Sequence, residues 1–315
     1  GKKKMKKAGI LSMQRIYNYG SFLQAYALKK MMEECGAEVE FVDYHPGECI
    51  LPSKETTGMK RKIQKGLEIL RMKGRLRDKI QFVKYKKNYA RKNYPVLGLK
   101  ETYNYAPKLD LLVIGSDEVF NCIQDNSNVG FAPELFGAGH QANRLISYAA
   151  SFGNTTLESL KKYQVADQVA QWLRAFDALS VRDENSRKIV QELIGKDPVC
   201  HLDPVLAYDY PAKLPETKAK IPHDPYMILY GYSGRFNKEE AGEIRKYAKR
   251  KGLKILCIGG IQRCGDKFID CSPFEIFEYF KHAESVVTDT FHGTIFSVVT
   301  QKKFATFVRK NGYGN

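Results

Sequence analysis

One histidine lies where an α/β protein commonly places a reactive group. Residues 285–299 form an apolar run, a short polar turn that carries His292, and a second apolar run, a pattern typical of a strand, a loop and a helix. His292 would then stand at a helix N-terminus, where N–H groups and the helix dipole favour an anion. Its imidazole can exchange protons near neutral pH. We predict His292 as a catalytic residue; the alternative is a capping turn whose histidine only hydrogen-bonds to the backbone.

Two other turns carry polar side chains between a strand and the next element. Asn18, Gly20 and Ser21 form one turn, which could hold a phosphate or an acceptor group on its N–H groups, although Ser21 could equally be a plain helix cap. Ser116 and Asp117 follow a buried strand. They could bind sugar hydroxyls or supply a base, and the alternative for Asp117 is a cap on the following turn.

Length and composition limit the class of protein. With 315 residues the chain exceeds one ordinary domain, so we expect two. No apolar run approaches the roughly 20 residues that span a bilayer, and the lysine-rich residues 1–7 lack the apolar segment of a signal peptide. The seven cysteines are scattered without a Cys-x-x-Cys pair, which argues against a zinc site or a disulfide framework. We therefore expect a cytoplasmic protein without a metal ion.

The formal net charge of +16 is concentrated in residues 2–7 and 60–100, where lysines and arginines alternate with tyrosines. Such a surface attracts anions, whether a phosphorylated small molecule, an acidic glycan, an anionic membrane surface or nucleic acid. Charge alone does not choose among them, and a solvated helical face whose tyrosines pack inward explains the same pattern. No helix-turn-helix, RNA-recognition or zinc-finger signature is present, which disfavours nucleic acid.

Strands and helices alternate along the chain, which predicts the α/β class with two doubly wound, Rossmann-like domains. The N-terminal domain is expected over residues 1–210, with a basic helical insertion at about 57–104. Residues 211–225 lack periodicity and form the predicted linker, and residues 226–315 form the C-terminal domain. Since ligands collect at the carboxyl ends of parallel strands, we expect both sheets to face a cleft. The sequence stops directly after a strand, so we also expect a further segment beyond Asn315.

Six short motifs occur in order along the chain. They are Tyr17-Asn-Tyr-Gly-Ser-Phe-Leu-Gln24-Ala-Tyr-Ala-Leu28, Val113-Ile-Gly-Ser-Asp117-Glu-Val-Phe-Asn121, Ser147-Tyr-Ala-Ala-Ser-Phe-Gly153, Ser180-Val-Arg-Asp-Glu-Asn-Ser186, Leu202-Asp-Pro-Val-Leu206 and Thr288-Asp-Thr-Phe-His-Gly293. Together they resemble the motifs of the polysaccharide pyruvyl transferase family. The resemblance covers about residues 8–308 and implies a GT-B-like architecture of two Rossmann-like domains. It also implies an enzyme that moves the enolpyruvyl unit of phosphoenolpyruvate onto a sugar of a cell-envelope or exopolysaccharide glycan as a pyruvate ketal.

The resemblance assigns roles to two residues. His292 matches the histidine of the family's His-Gly motif, which implies a general acid/base. Arg182 matches the arginine of the Ser-x-Arg-Asp-x-x-Ser motif, and its forked guanidinium suits a carboxylate or phosphate. The alternative for Arg182 is a structural ion pair with Asp183 or Asp203.

One position departs from the family pattern, because Thr290 stands where relatives often carry an arginine two residues before the histidine. Arg235 or Arg263, each after a predicted strand, could replace that arginine or be an ordinary loop residue.

The predicted site consists of three groups of residues. His292 and Asp117 are the catalytic residues. The donor residues are Arg182, Arg235, Arg263, Thr290, Gly293 and Thr294, and the acceptor residues are Asn18, Gly20, Ser21 and Ser116.

Three functions stay open from the sequence. The first is the pyruvyl transferase, with phosphoenolpyruvate as co-substrate, a glycan or lipid-linked sugar as acceptor, and no other cofactor. The second is a GT-B glycosyltransferase with a nucleotide-sugar donor, and the third is a non-catalytic anion-binding relative, for which Thr290 is the motivating feature. The sequence contains no Gly-x-Gly-x-x-Gly, P-loop lysine or nucleophile elbow, which disfavours dinucleotide oxidoreductases, ATPases and α/β-hydrolases.

Overall fold

The structure, a computed structural model, describes residues 5–51, 63, 66–67, 69–71 and 74–309. These residues fall into two compact units. The first contains the described residues up to 16, then 21–51 and 94–208, and the second contains 17–20, the described residues from 63 to 93, and 209–309. Each unit has one wholly parallel sheet with helices between its strands, which confirms the predicted α/β class with two Rossmann-like units.

The sheet of the first unit has six parallel strands in the order β2-β1-β3-β4-β5-β6. Its central strand β3 is apolar over most of its length because both of its faces are covered, as is usual in parallel sheets. The strands are β1 (Lys6–Leu11), β2 (Ala37–Phe41), β3 (Lys108–Asp117), β4 (Gln141–Ala150), β5 (Ser180–Val181) and β6 (Val199–Cys200).

The sheet of the second unit has five parallel strands in the order β11-β10-β7-β8-β9. All five residues of β7, at the centre, are buried. The strands are β7 (Tyr226–Tyr230), β8 (Lys254–Ile258), β9 (Lys267–Phe268), β10 (Ser285–Thr288) and β11 (Phe304–Thr306). The sequence pattern missed β9, since two residues are too few to show periodicity.

Helices connect most of these strands, as the crossovers of a parallel sheet require. They are α1 (Tyr19–Glu34), α2 (Leu76–Leu97), α3 (Leu157–Lys162), α4 (Ala166–Arg174), α5 (Glu184–Ile194), α6 (Pro204–Ala207), α7 (Tyr210–Lys213), α8 (Lys238–Lys251), α9 (Glu275–His282) and α10 (Phe291–Val299), with a 3-10 turn at Pro133–Phe136. Helices α3 and α4 are separate and do not form one continuous helix. Gln164 between them adopts φ +57°, which an α-helix does not accommodate.

Helix α2 belongs to a different unit from the one that the sequence predicted. The sequence placed the basic segment 57–104 in the N-terminal domain, whereas the structure groups α2 up to Asn93 with the second unit. The cause is an aromatic contact: the rings of Phe82 and Tyr85 lie 5.7 and 5.8 Å from the ring of Phe268 in β9. Residues 57–62, 64–65, 68 and 72–73 of the predicted insertion lie outside the described residues.

The division near the predicted linker falls between Tyr208 and Asp209. Tyr210, in the short helix α7, is fully buried and stacks on Phe277 of α9 at 4.8 Å, within the second unit. No helix in the described part of the chain has both the length and the apolar character needed to cross a membrane.

The aromatic contact of α2 should contribute measurably to stability. We expect Phe82→Ala to lower the free energy of unfolding by about 3–5 kcal/mol, because it removes a buried ring and leaves a cavity. Val83→Ala is the matched control, since Val83 is the next residue of the same helix and is exposed. Urea unfolding of both variants measures the difference, and equal unfolding free energies would contradict this packing of α2.

Candidate functional site

The polar turn before α10 has the predicted order of strand, loop and helix. Strand β10 ends at Thr288, and Thr290 is the N-cap of α10, its hydroxyl accepting a hydrogen bond from the Gly293 N–H at 2.8 Å. Thr288 supports the cap, because its hydroxyl accepts from the Thr290 N–H and lies 3.1 Å from the Thr290 hydroxyl. Thr290 therefore serves the helix as a cap, and His292 is the second residue of the first turn.

Gly293 is required by close packing. A Cβ atom at this position would lie 2.2 Å from Thr288 Oγ1 and 2.7 Å from Cδ1 of Tyr230. The missing side chain lets the first turn of α10 approach the ends of β10 and β7. Thr294 is also engaged in the fold, as its hydroxyl donates to the Thr290 carbonyl at 3.0 Å and lies 2.7 Å from the Thr306 hydroxyl.

The imidazole of His292 packs directly against Gly20. A Cβ atom on Gly20 would lie 2.3 Å from His292 Nδ1 and 2.4 Å from its Cγ. The Phe296 ring stacks with the imidazole, and the two ring centroids are 6.0 Å apart. His292 is only 8% exposed. Gly20, predicted as an acceptor residue, therefore provides the notch that receives the imidazole.

The segment that carries Gly20 is anchored within the second unit by three hydrogen bonds. Asn18 Nδ2 donates to the Tyr232 hydroxyl, and the Asn18 carbonyl accepts from the Tyr89 hydroxyl at 2.9 Å. The Tyr19 hydroxyl donates to the Cys271 carbonyl at 2.7 Å. Burial raises the pKa of Tyr19 well above its ordinary value, so the phenol stays a donor. Asn18, another predicted acceptor residue, is thus held by Tyr232 and Tyr89.

A buried carboxylate lies between β10 and the cap. The Asp289 side chain is wholly buried, and its Oδ2 accepts from Arg235 Nε at 2.9 Å and from Arg309 Nε at 3.1 Å. The sequence prediction missed Arg309; its position just after the last strand was the available signal. Because Arg235 is paired with Asp289, its role in anion binding stays a prediction.

Arg263 lies in the loop after β8, at the same carboxyl edge of the sheet as β10 and β7. Its side chain is exposed and makes no hydrogen bond or ion pair among the described residues. The neighbouring Gln262 ties this loop to the one after β7, since its Nε2 donates to the Tyr232 carbonyl at 2.7 Å. The predicted role of Arg263 at the donor is not tested by these contacts.

Asp117 ends β3 in the first unit in a strained conformation. Its φ of +71° is rare for a residue other than glycine, and such strain is concentrated at functional sites. Asp117 Oδ2 accepts from the Ser21 hydroxyl at 2.8 Å. The Asp117 carboxylate thus makes two contacts, the hydrogen bond from Ser21 and an ion pair with Arg182. Catalysis by Asp117 stays a prediction.

Ser116 is wholly buried, which the sequence did not reveal. Its hydroxyl donates to the Ala149 carbonyl at 2.6 Å, and its N–H donates to Gln24 Oε1 at 3.1 Å. The Ser116 side chain consequently joins β3 to β4, and its role at the acceptor stays a prediction.

Arg182 follows β5 and lies between two carboxylates at the carboxyl edge of the sheet. Its NH1 is 2.9 Å from Asp203 Oδ2, its NH2 is 3.6 Å from Asp117 Oδ1, and its side chain is 2% exposed. Burial acts to lower the pKa of Arg182, but Asp203 and Asp117 outweigh it and the net shift is upward, so the group stays charged. Of the two alternative partners, Asp203 forms the pair, whereas Asp183 caps α5 by accepting from the Ser186 N–H.

The model of one protein family, described as polysaccharide pyruvyl transferase, matches residues 18–311. The chain belongs to the polysaccharide pyruvyl transferase family. The resemblance inferred from the six motifs is thereby confirmed, and with it the enzyme class of a transferase that acts on glycans. A comparison with curated proteins gives no significant match to this pyruvyl transferase family member.

Several solved structures are distantly similar to this family member. The MnaA–UDP structure from S. aureus has 12% identity and a TM-score of 0.48, covering 95% of this chain and 78% of that one. The UDP-GlcNAc 2-epimerase of Methanocaldococcus jannaschii has 13% identity and a TM-score of 0.46, covering 96% and 83%. The E. coli heptosyltransferase WaaC has 12% identity and a TM-score of 0.38, covering 98% and 92%. Because all three scores are below 0.5, the family assignment rests on the sequence match alone.

No group of three or more His, Cys, Asp or Glu side chains could hold a metal ion within the described ranges. All seven cysteines belong to the described residues, and none of them forms a disulfide there.

The contact between Gly20 and His292 gives a direct test of the notch. Gly20→Ala should destabilise this pyruvyl transferase by about 1–3 kcal/mol, since the methyl group overlaps the imidazole. Gly242→Ala in α8 is the control, because nothing lies within 4 Å of its Cβ position; alanine there should be neutral or stabilising by about 0.5–1 kcal/mol. Urea unfolding and the NMR resonances of His292 report the change. Equal behaviour of the two variants would show that Gly20 leaves room beside the ring.

The ion pair of Arg182 with Asp203 gives a second test. Arg182→Met should lower the free energy of unfolding by about 3–5 kcal/mol, because it leaves buried carboxylates without a counter-charge. The double variant Arg182→Met/Asp203→Asn should recover part of this loss. Arg187→Met, which breaks the exposed pair of Arg187 with Asp197, should change stability little. Wild-type stability of Arg182→Met would favour the role of donor clamp.

Proposed function

We propose that this pyruvyl transferase family member moves the enolpyruvyl unit of phosphoenolpyruvate onto two hydroxyls of a glycan or lipid-linked sugar, with His292 as the proton donor. The family match supports a glycan-directed transferase. Phosphoenolpyruvate as donor and a pyruvate ketal as product are the finer parts of this proposal.

The reaction needs a proton donor and an anion-binding group. Protonation of the methylene carbon of phosphoenolpyruvate forms the methyl group and leaves a cationic centre at the neighbouring carbon. One sugar hydroxyl adds there and loses its proton, phosphate leaves, and the second hydroxyl adds in the same way. The products are the ketal and inorganic phosphate. A positioned imidazolium is suited to the first step.

The observation that carries the proposal is the placement of His292 in the first turn of α10. The Gly20 backbone and the Phe296 ring fix the orientation of the imidazole. The first-turn N–H groups of a helix have no intrahelical acceptor, so they suit the phosphate or carboxylate of the donor. Within this turn the Gly293 N–H donates to the hydroxyl of the Thr290 cap.

Relatives often carry an arginine at the position of Thr290. We assign the anion-binding function of that arginine to Arg263. Arg235 and Arg309 share the buried Asp289 carboxylate, so that carboxylate already offsets part of their charge. Arg263 is exposed in the loop after β8, at the sheet edge where β10 leads into α10. For the acceptor, the strained Asp117 carboxylate is proposed as the base that takes a hydroxyl proton.

Loss of the proton donor should slow turnover strongly without abolishing donor binding. His292→Gln should lower ketal formation by about 10²–10⁴-fold while phosphoenolpyruvate still raises the Tm. Arg263→Gln should instead weaken that Tm shift. His282→Gln is the control, since His282 is a half-exposed residue of α9 paired with Glu278. Phosphate release and the mass gain of one pyruvate less one water, measured over a panel of sugar diols, follow the reaction.

Two results would contradict the proposal. Stabilisation by nucleoside diphosphates or nucleotide sugars, but not by phosphoenolpyruvate, would favour the glycosyltransferase alternative. Full ketal formation by His292→Gln would remove His292 from the chemistry.

A further inference from the structure

Helix α2 has two faces of different character. Its inner face is buried and carries Asp78, Phe82, Tyr85 and Tyr89, which confirms that these tyrosines pack inward. The outer face exposes large aliphatic side chains, with Leu76 71%, Ile80 49% and Val83 43% exposed. A surface helix ordinarily turns charged residues, not aliphatic ones, to water.

The spacing of these aliphatic residues makes them one ridge. Positions i, i+4 and i+7 of a helix lie on one face, so Leu76, Ile80 and Val83 are neighbours, and Lys87 continues the line. Cations flank the ridge: Arg77, Lys84 and Arg91 are exposed and lie about 50–95° from its centre by the helical period. Within the described residues Arg77, Lys84 and Lys87 form no ion pair. Over its whole length α2 has seven Lys and Arg but only one acidic residue, Asp78.

A second set of exposed aliphatic residues precedes α2 with the same spacing. Ile63, Leu67 and Leu70 are all exposed and again stand at i, i+4 and i+7. Lys79 Nζ donates to the Leu70 carbonyl at 2.9 Å, which joins the end of this segment to α2. We call Leu76, Ile80, Val83 and their flanking cations the basic aliphatic face.

We propose that the basic aliphatic face docks on an anionic bilayer surface. An aliphatic ridge bordered by lysine and arginine is the composition of helices that lie in the membrane interface, where the aliphatic side chains enter the acyl boundary and the cations meet lipid phosphates. Long basic side chains can keep their charge at the headgroups while their methylene stems follow the ridge. The charge of the face complements anionic lipid, which is attracted within a Debye length.

The aliphatic ridge distinguishes a membrane from nucleic acid as the occupant. A duplex or a single strand would use the cations, but would gain nothing from Leu76, Ile80 and Val83, because its phosphates are polar and base stacking needs aromatic rings. Tyr85 and Tyr89 of α2 are buried, so they cannot stack on bases. This inference is independent of the donor and acceptor proposed above, and vesicle binding can be measured without turnover.

Sedimentation with vesicles tests the proposal on the full chain. Wild-type protein should bind vesicles of phosphatidylcholine with phosphatidylglycerol and bind pure phosphatidylcholine far more weakly. The variant Leu76→Gln/Ile80→Gln/Val83→Gln should bind the anionic vesicles at least roughly tenfold more weakly, since three aliphatic side chains no longer enter the acyl boundary. The control Val199→Gln/Leu202→Gln changes exposed aliphatic residues of the first unit and should bind as wild type.

A charge variant separates the contribution of the cations to vesicle binding from that of the aliphatic ridge. Lys84→Gln/Lys87→Gln/Arg91→Gln should lose affinity for anionic vesicles, and the remaining binding should depend less on salt than that of wild type. The matched control Lys238→Gln/Lys249→Gln/Lys251→Gln removes three charges from α8 and should bind as wild type. Circular dichroism and urea unfolding confirm that each variant is folded.

Three outcomes would overturn the proposal. The first is wild-type binding by the triple aliphatic variant, and the second is equal binding to neutral and anionic vesicles. The third is the absence of vesicle binding together with tight, ridge-independent binding to duplex DNA, which would assign the cations to nucleic acid.

Discussion

The contact between the backbone of Gly20 and the imidazole of His292 is the constraint from which the candidate site follows. A helix N-terminus alone does not orient a histidine, because the side chain can rotate about two bonds. Here the imidazole lies where even one methyl group on Gly20 would overlap it, and the Phe296 ring stacks with it. A second glycine, Gly293, lets the first turn approach the ends of β10 and β7. The lack of side chains at Gly20 and Gly293 thus allows the close packing that holds the His292 imidazole in place.

Buried carboxylates are paired with arginines at both sheets. In the first unit the wholly buried side chain of Asp203 is paired with Arg182, and in the second unit Asp289 is paired with Arg235 and Arg309. A buried carboxylate without a partner is costly, so these arginines are needed by the fold itself. Several arginines at strand ends are therefore already engaged in ion pairs, which supports the proposed role of the exposed Arg263 at the donor.

The basic segment shows how one sequence pattern supports two readings. Lysines alternating with tyrosines predicted either an anion-binding surface or a solvated helix with inward tyrosines. The inner face of α2 agrees with the second reading, because Tyr85 and Tyr89 pack in the core. The outer face is not merely solvated, since Leu76, Ile80 and Val83 are exposed there. The composition gives the charge of the segment. Only the positions of the α2 residues relative to Phe268 show which side of the helix stays exposed.

The sequence by itself determined the alternation of strands and helices, the strand–loop–helix order around His292 and the family, because these follow from local periodicity and from motifs in order. It also offered Asp203 as a partner of Arg182. Tertiary structure alone decided that Gly20 receives the imidazole, that Ser116 is buried, that Arg309 joins Asp289 and that α2 belongs with the second unit. The physical reason is that each of these contacts joins residues distant in the chain. Their partners depend on which strands become neighbours in a sheet, and no local pattern encodes that choice.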